Sequence, residues 1–414
     1  MDYIVNGGNR LSGEIAVYGA KNCALALLGA TILTDEEVIL HNCPNIVDVE
    51  NMIRLLRSMG KKILRSGDTV SVSGKLSTTV APREIATLLR GSALILGSTL
   101  AKYHQIDLPL PGGCAIGARP MDIHLLGLER LNINVSHSQQ SVKCVGMPVG
   151  AKYSMRFASV GATENLVCAA TLARGETVLD NCATEPEVAA LEQLLIKMGA
   201  KINGVGSQRV VVEGVKTLHG AEYDIIPDRI VTATYISCGV ATLGDVTVTN
   251  CCPTHIRSFV DILQPHCYVS EYAGAIRVVA TEPANGYGTI VTAPYPLFPT
   301  DMQSLVLSLA TCCNGQTVIC EKLFENRLSH NASQLNKMGA CVSVDGDTAT
   351  VVGSQLHGAL LQAKDLRGGA GLVIAALSAN GQSRISDIEH IDRGYINLAQ
   401  SLATLGADIR STNS

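Results

Sequence analysis

Met198-Gly199-Ala200-Lys201-Ile202 reads as the end of a helix and the start of a strand. Leu191, Leu194, Leu195 and Met198 recur at helical spacing before it. Glycine is the residue a helix C-terminus favours, because it takes positive φ at no steric cost, and a β-branched residue then opens the strand. The phrase returns as Met59-Gly60-Lys61-Lys62-Ile63, Met338-Gly339-Ala340-Cys341-Val342 and Leu405-Gly406-Ala407-Asp408-Ile409. Degenerate copies fall at Leu131-Asn132-Ile133-Asn134-Val135, with Asn in place of the glycine, and around Leu263 to Val269. The glycines at 60, 199, 339 and 406 are 139, 140 and 67 residues apart, so the repeat is about 70 residues and six copies fit a chain of 414.

A second phrase accompanies the first: an Ala/Leu-rich helix, a turn, then alternating Thr and Val. Gly175-Glu176-Thr177-Val178-Leu179, Gly244-Asp245-Val246-Thr247-Val248 and Gly315-Gln316-Thr317-Val318-Ile319 are examples. Each repeat therefore reads as β-α-β-α-β-β. One of its helices is apolar throughout and the other amphipathic, as at Met52, Leu55, Leu56 and Met59. Grouped three and three, the repeats give an α/β chain of two domains, 21–227 and 1–20 with 228–414, breaking near Pro227-Asp228-Arg229. The first strand, Asp2 to Leu11, precedes the first repeat and is expected to pair with the last. Two such lobes leave a cleft as the place for a ligand, and their closure would exclude water.

Composition narrows the function. Only 16% of residues are charged and the net charge is −4, which argues against nucleic-acid binding and favours small-molecule chemistry. No apolar run reaches the roughly 18 residues needed to span a bilayer. The amino-terminal Met1-Asp2-Tyr3-Ile4-Val5 lacks the pattern of a signal peptide, so a cytoplasmic protein is expected. Of the 14 cysteines none forms a C-x-x-C pair, and most sit among Ala, Leu and Val, as in Cys168-Ala169-Ala170. They read as small buried apolar residues in a reducing compartment, with no metal expected.

One cysteine is different. Leu110-Pro111-Gly112-Gly113-Cys114-Ala115-Ile116-Gly117-Ala118-Arg119-Pro120 is too glycine-rich to bury its thiol, and Arg119 supplies a nearby cation that favours thiolate. Gly19-Ala20-Lys21-Asn22 puts a lysine at the start of an apolar helix, where free amides and a positive charge suit phosphate or carboxylate, or where the lysine is a solvated surface charge. Arg90 lies inside an apolar helix read over Leu88 to Leu96, as a charge that should face a cleft or a partner. Pro299-Thr300-Asp301-Met302-Gln303 places a carboxylate at a helix start, as a cap or as a base. Arginines recur at strand–helix connections in Phe324-Glu325-Asn326-Arg327, Asp365-Leu366-Arg367 and His390-Ile391-Asp392-Arg393-Gly394-Tyr395. That pattern fits a polyanionic ligand or a rim of salt bridges.

These segments, with Ser159-Val160-Gly161-Ala162-Thr163, Glu185-Pro186-Glu187, Pro227-Asp228-Arg229 and Phe298-Pro299-Thr300-Asp301-Met302-Gln303, run the length of the chain. Together they resemble the enolpyruvyl transferase family, and within it the UDP-N-acetylglucosamine 1-carboxyvinyltransferases. The cysteine loop is the specific part, since the branch acting on shikimate 3-phosphate lacks it. The resemblance implies two inside-out α/β barrel domains, each of three β-α-β-α-β-β repeats, with the active site in the interdomain cleft. It implies transfer of the enolpyruvyl group of phosphoenolpyruvate to the 3′-hydroxyl of UDP-N-acetylglucosamine by a monomer, with no cofactor.

Carried over residue by residue, the resemblance makes Lys21, Arg119 and Arg393 hold phosphoenolpyruvate, with Arg90 and Arg327 shaping the positive field. Cys114 would be the general acid at the methylene carbon and Asp301 would take the sugar hydroxyl proton. Asn22, Arg119, Pro120, Met121, Asp122, Ile123, Ser159, Val160, Gly161, Asp301 and Leu323 would bind the nucleotide sugar, and Asp365 and Arg367 complete the substrate-binding set. Two departures stand out. Cys23 replaces the usual Ala, and Leu263-Gln264-Pro265-His266-Cys267-Tyr268-Val269 lacks the usual Gly-Ala. Transfer to shikimate 3-phosphate, and a silent paralogue that only binds nucleotide sugar, are the competing readings. The cysteine loop opposes the first; retention of Lys21, Cys114, Asp301 and Arg393 together opposes the second.

Overall fold

The computed structural model describes residues 1–110, 121–138, 140–324 and 326–412; for Arg90 only the backbone is described. The described chain folds into two compact units, one taking Met1–Tyr18 and the chain from Pro227 onward, the other taking Gly19–Leu110 and Met121–Ile226. Among the described residues, each unit holds three small sheets.

The repeat is clearest at 152–213. Strand Lys152–Ser154 lies parallel to Glu176–Asp180, with Val178 opposite Lys152. Between them runs the helix Val160–Thr171. After the helix Pro186–Lys197 the strands Lys201–Asn203 and Arg209–Glu213 add on antiparallel. Gly175 and Gly199 make the two reversals with φ of 91° and 101°. The C-cap glycines at 60, 339 and 406 also take positive φ, and Asn132 stands in at 66°. The sheet at Gln105–Pro109 is the degenerate copy, its parallel partner reduced to a single bridge from Val80 to Asp107.

Two crossovers complete the sheets. Ser12–Ala16, just before the chain enters the Gly19 unit, pairs parallel with Asp245–Thr249, far along the chain in its own unit. Ala221–Asp224 pairs parallel with Val38–His41 near the beginning of its own unit. The amino-terminal strand Asp2–Asn6 inserts antiparallel between Gln382–Ser386 and Asp408–Thr412, supplying the last repeat's missing strand. It is shorter than the expected Asp2 to Leu11, because the chain turns at Gly7 and Gly8.

In both units the apolar helix of each repeat is inside and the sheets are outside. Residues Arg229–Val240, Met302–Thr311 and Arg367–Leu377 are buried all round, as expected of a helix without a polar face. Their helices pack on one another. Small residues set the spacing: a methyl group on Gly371 would lie 2.8 Å from the Ser304 carbonyl oxygen, and one on Gly97 would lie 1.9 Å from that of Asn165. Each buried Leu or Ile in these bundles contributes roughly 1.5–3 kcal/mol relative to exposure.

One local expectation is corrected. Arg90 is not within an apolar helix; it opens a short 3-10 segment, Arg90–Leu94, ahead of the helix Ile95–Tyr103. In the segment without Gly-Ala, the helix Arg257–Leu263 has only two turns. With no glycine to take positive φ, the chain tightens instead: the amides of His266 and Cys267 both donate to the Leu263 carbonyl. The His266 ring then stands edge-on to Tyr287 at 5.2 Å.

Candidate active site

In the unit containing Asp301, the amino-terminal turns of the three buried helices carry the charged motifs. Asp228 caps the Arg229–Ala241 helix, accepting from the amides of Ile230 and Val231. Asp365 caps Leu366–Ser378 in the same way through Arg367 and Gly368. Asp301 is not the cap of its helix: Pro299 takes that position without a side-chain bond, so the Asp301 carboxylate is left to other partners. Arg327 Nη2 donates to Asp301 Oδ1 at 3.0 Å, and Arg327 Nη1 donates to the Thr300 carbonyl at 2.7 Å. The Arg327 side chain is 3% exposed and that of Asp301 28%, so the carboxylate is the end that faces out.

Arg367 lies at the same end, within the electrostatic reach of Asp301 and Asp228. Burial alone would push its guanidinium down, but Tyr395, Asp301 and Asp228 hold it above its ordinary value. Tyr395 explains part of the motif around Arg393. Its buried hydroxyl meets Thr234 Oγ1 at 2.8 Å and receives a bond from Arg367 Nη1 at 3.5 Å. Tyr18 holds the same segment from the other side, donating to the Gly394 carbonyl at 3.2 Å and accepting from the Ile396 amide. Arg393 ends the short helix Glu389–Asp392 between these two anchors. Arg327 and Arg367 are buried behind the helix starts that carry Asp228, Asp301 and Asp365.

In the Gly19 unit, Lys21 opens the helix Lys21–Ala30, followed by Asn22. The glycine of Gly19-Ala20-Lys21-Asn22 is required by a close approach, since a methyl group there would lie 1.8 Å from the Asn42 carbonyl oxygen. Lys21 Nζ is 2.8 Å from Asp48 Oδ2, on the first turn of Val47–Ser58. Ser159 caps the helix of Val160 and Gly161 by accepting from the Ala162 amide. Gly161 packs on His124, whose ring meets Asn165 Nδ2 at 2.9 Å. Burial lowers the His124 pKa to about 4, so the ring is neutral at pH 7. Through His124, the segment of Met121, Asp122 and Ile123 meets the segment of Ser159, Val160 and Gly161. Asp122 is ion-paired to Arg156, and the Ile123 carbonyl accepts from Tyr153 at 3.3 Å.

Several residues that shape these places were not among the sequence candidates. Asp48, the partner of Lys21, sits in an unremarkable amphipathic helix. Glu321 accepts from Thr292, Thr300 and the amides of Leu323 and Phe324, yet in sequence it is only a strand-end acid. Glu164 is buried beside Glu187 and Glu185; burial first, then those two carboxylates, raises its pKa well above the ordinary range. Its place in an apolar helix was the one available signal. Cys114, Arg119 and Pro120 lie outside the described residues, as does the side chain of Arg90. The described cysteines are all reduced; burial pushes thiols such as Cys168 up to about 12, so the buried ones are packing groups, while Cys341 is exposed.

The family described as EPSP synthase (3-phosphoshikimate 1-carboxyvinyltransferase) matches residues 5–402. A UDP-N-acetylglucosamine 1-carboxyvinyltransferase of Magnetococcus marinus is 43% identical over 412 residues, covering 98% of each chain. One described as UDP-N-acetylglucosamine 1-carboxyvinyltransferase 2, from Caldanaerobacter subterraneus subsp. tengcongensis, is 40% identical over 409 residues, again 98% of each. Among solved structures, the enolpyruvyl transferase NikO of Streptomyces tendae shares the fold with a TM-score of 0.88 at 24% identity, over 99% of this chain and 98% of that one. An EPSP synthase of Acinetobacter baumannii shares it with a TM-score of 0.73 at 18% identity, over 99% of both. With the family matched over nearly all its length, and its six-repeat architecture formed by these sheets and buried helices, this chain belongs to the enolpyruvyl (1-carboxyvinyl) transferases.

Proposed function

We propose that this enzyme transfers the enolpyruvyl group of phosphoenolpyruvate to the 3′-hydroxyl of UDP-N-acetylglucosamine, releasing phosphate, as the first committed step of peptidoglycan synthesis. The observation that carries this reading is the 40–43% identity, over nearly full length, to relatives named for that acceptor. In the addition step the acceptor oxygen bonds to C2 of phosphoenolpyruvate. Asp301 accepts the hydroxyl proton and Cys114 delivers a proton to C3. Elimination then removes a proton from C3 and expels inorganic phosphate.

Lys21, Arg119 and Arg393 hold the phosphate and carboxylate of phosphoenolpyruvate, with Arg90, Arg327 and Arg367 supporting the positive field. Asn22, Arg119, Pro120, Met121, Asp122, Ile123, Ser159, Val160, Gly161 and Leu323 bind the nucleotide sugar, and Asp365 fixes Arg367 through its cap. The buried guanidinium beside the carboxylate keeps Asp301 ionised and so free to accept the hydroxyl proton, while lowering its basicity. On this reading the enzyme works as a cytoplasmic monomer.

The test is phosphate release from phosphoenolpyruvate with and without UDP-N-acetylglucosamine, in wild type, Cys114→Ser and Asp301→Ala. Release that needs the nucleotide sugar and collapses in both variants supports the assigned roles. Variants that keep wild-type release would remove those residues from the mechanism.

A further inference from the structure

The carboxylate of Glu321 is buried at the end of strand Gln316–Cys320 and takes four hydrogen bonds. Oε1 accepts from Thr292 Oγ1 at 3.0 Å and from the amides of Leu323 at 2.9 Å and Phe324 at 3.2 Å. Oε2 accepts from Thr300 Oγ1 at 2.8 Å. That last bond fixes the direction of one hydroxyl. With its proton on Glu321, Thr300 Oγ1 presents a lone pair to Arg327 Nη1, which donates to it at 2.6 Å. The same guanidinium donates through Nη2 to Asp301 at 3.0 Å and sits over the Phe324 ring at 5.3 Å. The amides that Glu321 holds therefore belong to the turn that delivers both Leu323 and the ring under Arg327.

We infer that Glu321 is a positioning residue for the transfer reaction, orienting Arg327 against Asp301 through the Thr300 hydroxyl. The inference rests on the reading of Asp301 as the base that takes the acceptor's proton. The order of bonds runs one way only: Thr300 donates to Glu321, Arg327 donates to Thr300 and to Asp301. Planar guanidinium requires both acceptors to lie in its fork. If Thr300 turns its proton toward Arg327 instead, Nη1 keeps only the Thr300 carbonyl, which it meets at 2.7 Å, and the fork tilts about that one bond, loosening its hold on Asp301. Among the described residues, the charged groups facing Asp301 include Arg327 and Arg367, with Asp228 bearing on Arg367.

Glu321→Gln is the direct test, because an amide keeps the shape and can still accept from Leu323 and Phe324. It cannot accept from Thr300 where its NH2 faces that hydroxyl. The expected result is a fall in kcat of about 10- to 100-fold, the scale of a misplaced reacting group, with KM for the nucleotide sugar changed less than ~threefold. The acid limb of the kcat/KM profile should move to higher pH by about half a unit or more, since a loosened cation stabilises the carboxylate less. Thr300→Val removes the same relay without touching Glu321. It should give the same limb shift, and the double variant should be no worse than either single.

A Glu321→Gln enzyme that loses only thermal stability, with kcat and pH profile intact, overturns the inference; so does a double variant whose losses multiply. Should Glu321→Gln fail to fold, Thr300→Val alone decides by the same two readouts. Asp301→Asn in the same assay separates this from the base assignment. An unchanged kcat there removes the base reading whatever Glu321 does. A collapsed Asp301→Asn beside a wild-type-like Glu321→Gln removes only the positioning role.

Discussion

Arg327 reaches Asp301 with one arm of its guanidinium, at 3.0 Å, while its other arm is closed on Thr300 at 2.6 and 2.7 Å. A single cation thus ties the first turn of one buried helix to the start of the next, and only a planar fork can do so. Arg327→Lys keeps the charge but offers one ammonium for both places. It is expected to lower kcat by about tenfold or more, with a smaller effect on stability. Steady-state kinetics with phosphoenolpyruvate and UDP-N-acetylglucosamine, beside thermal melts, checks this.

Lys21 and Asp48 form a nearly buried ion pair at 2.8 Å. Removing one partner leaves a charge poorly solvated, which costs more than the pair itself contributes. Asp48→Asn is expected to cost about 2 kcal/mol or more in urea unfolding. Combined with Lys21→Gln it should show a favourable coupling of about 1–3 kcal/mol, the double variant being more stable than the sum of the singles.

Glu192 supplies a prediction in pH. Its side chain is fully buried and accepts from the Gly206 amide at 2.7 Å through Oε2. Burial raises its pKa to about 7, against an ordinary value of 4.5, and that hydrogen bond only partly opposes the rise. The native state therefore binds more protons than the unfolded chain across this window, and stability is lost as pH rises from 4.5 through 7. Glu192→Gln does not titrate and keeps the bond to Gly206. It should match wild type in stability near pH 4 and exceed it by up to about 3 kcal/mol at pH 8. Melting curves at the two pH values read this directly.

Gly97 faces the Asn165 carbonyl so closely that a methyl group would sit 1.9 Å from its oxygen, and the Gly97 amide donates to Asn165 Oδ1 at 2.9 Å. Backbone cannot yield as a flexible side chain does. Gly97→Ala should cost about 3 kcal/mol by forcing the two helices apart, seen as a fall in the denaturant midpoint.

The fold was largely legible because the repeat punctuates itself. Glycines 60, 199, 339 and 406, with Asn132, sit where a helix must end in a left-handed residue, and no other local chemistry competes there. The helices of 229–241, 300–311 and 366–378 were legible as buried for the same reason, having no polar face. What periodicity could not supply was pairing between distant segments. That Ala221–Asp224 joins Val38–His41, or that Asp2–Asn6 ends at Gly7, depends on partners far away in the chain.

The candidate site divides similarly. Residue types at helix starts, such as Lys21 and Asp301, announce their chemistry locally. Glu321 and Asp48 do not, because each matters through a partner 21 to 27 residues away that no short pattern joins. Arg90 shows the opposite failure: an apolar neighbourhood suggested a continuous helix, whereas the chain takes a 3-10 turn at that arginine.

Acceptor choice is the most direct test of the central claim. The enzyme is supplied with phosphoenolpyruvate and equal concentrations of UDP-N-acetylglucosamine and shikimate 3-phosphate, and both acceptors are followed by mass spectrometry. The account predicts that the nucleotide sugar alone gains an enolpyruvyl group, in step with phosphate release. An enolpyruvyl adduct on shikimate 3-phosphate, or no adduct on either acceptor, would contradict it.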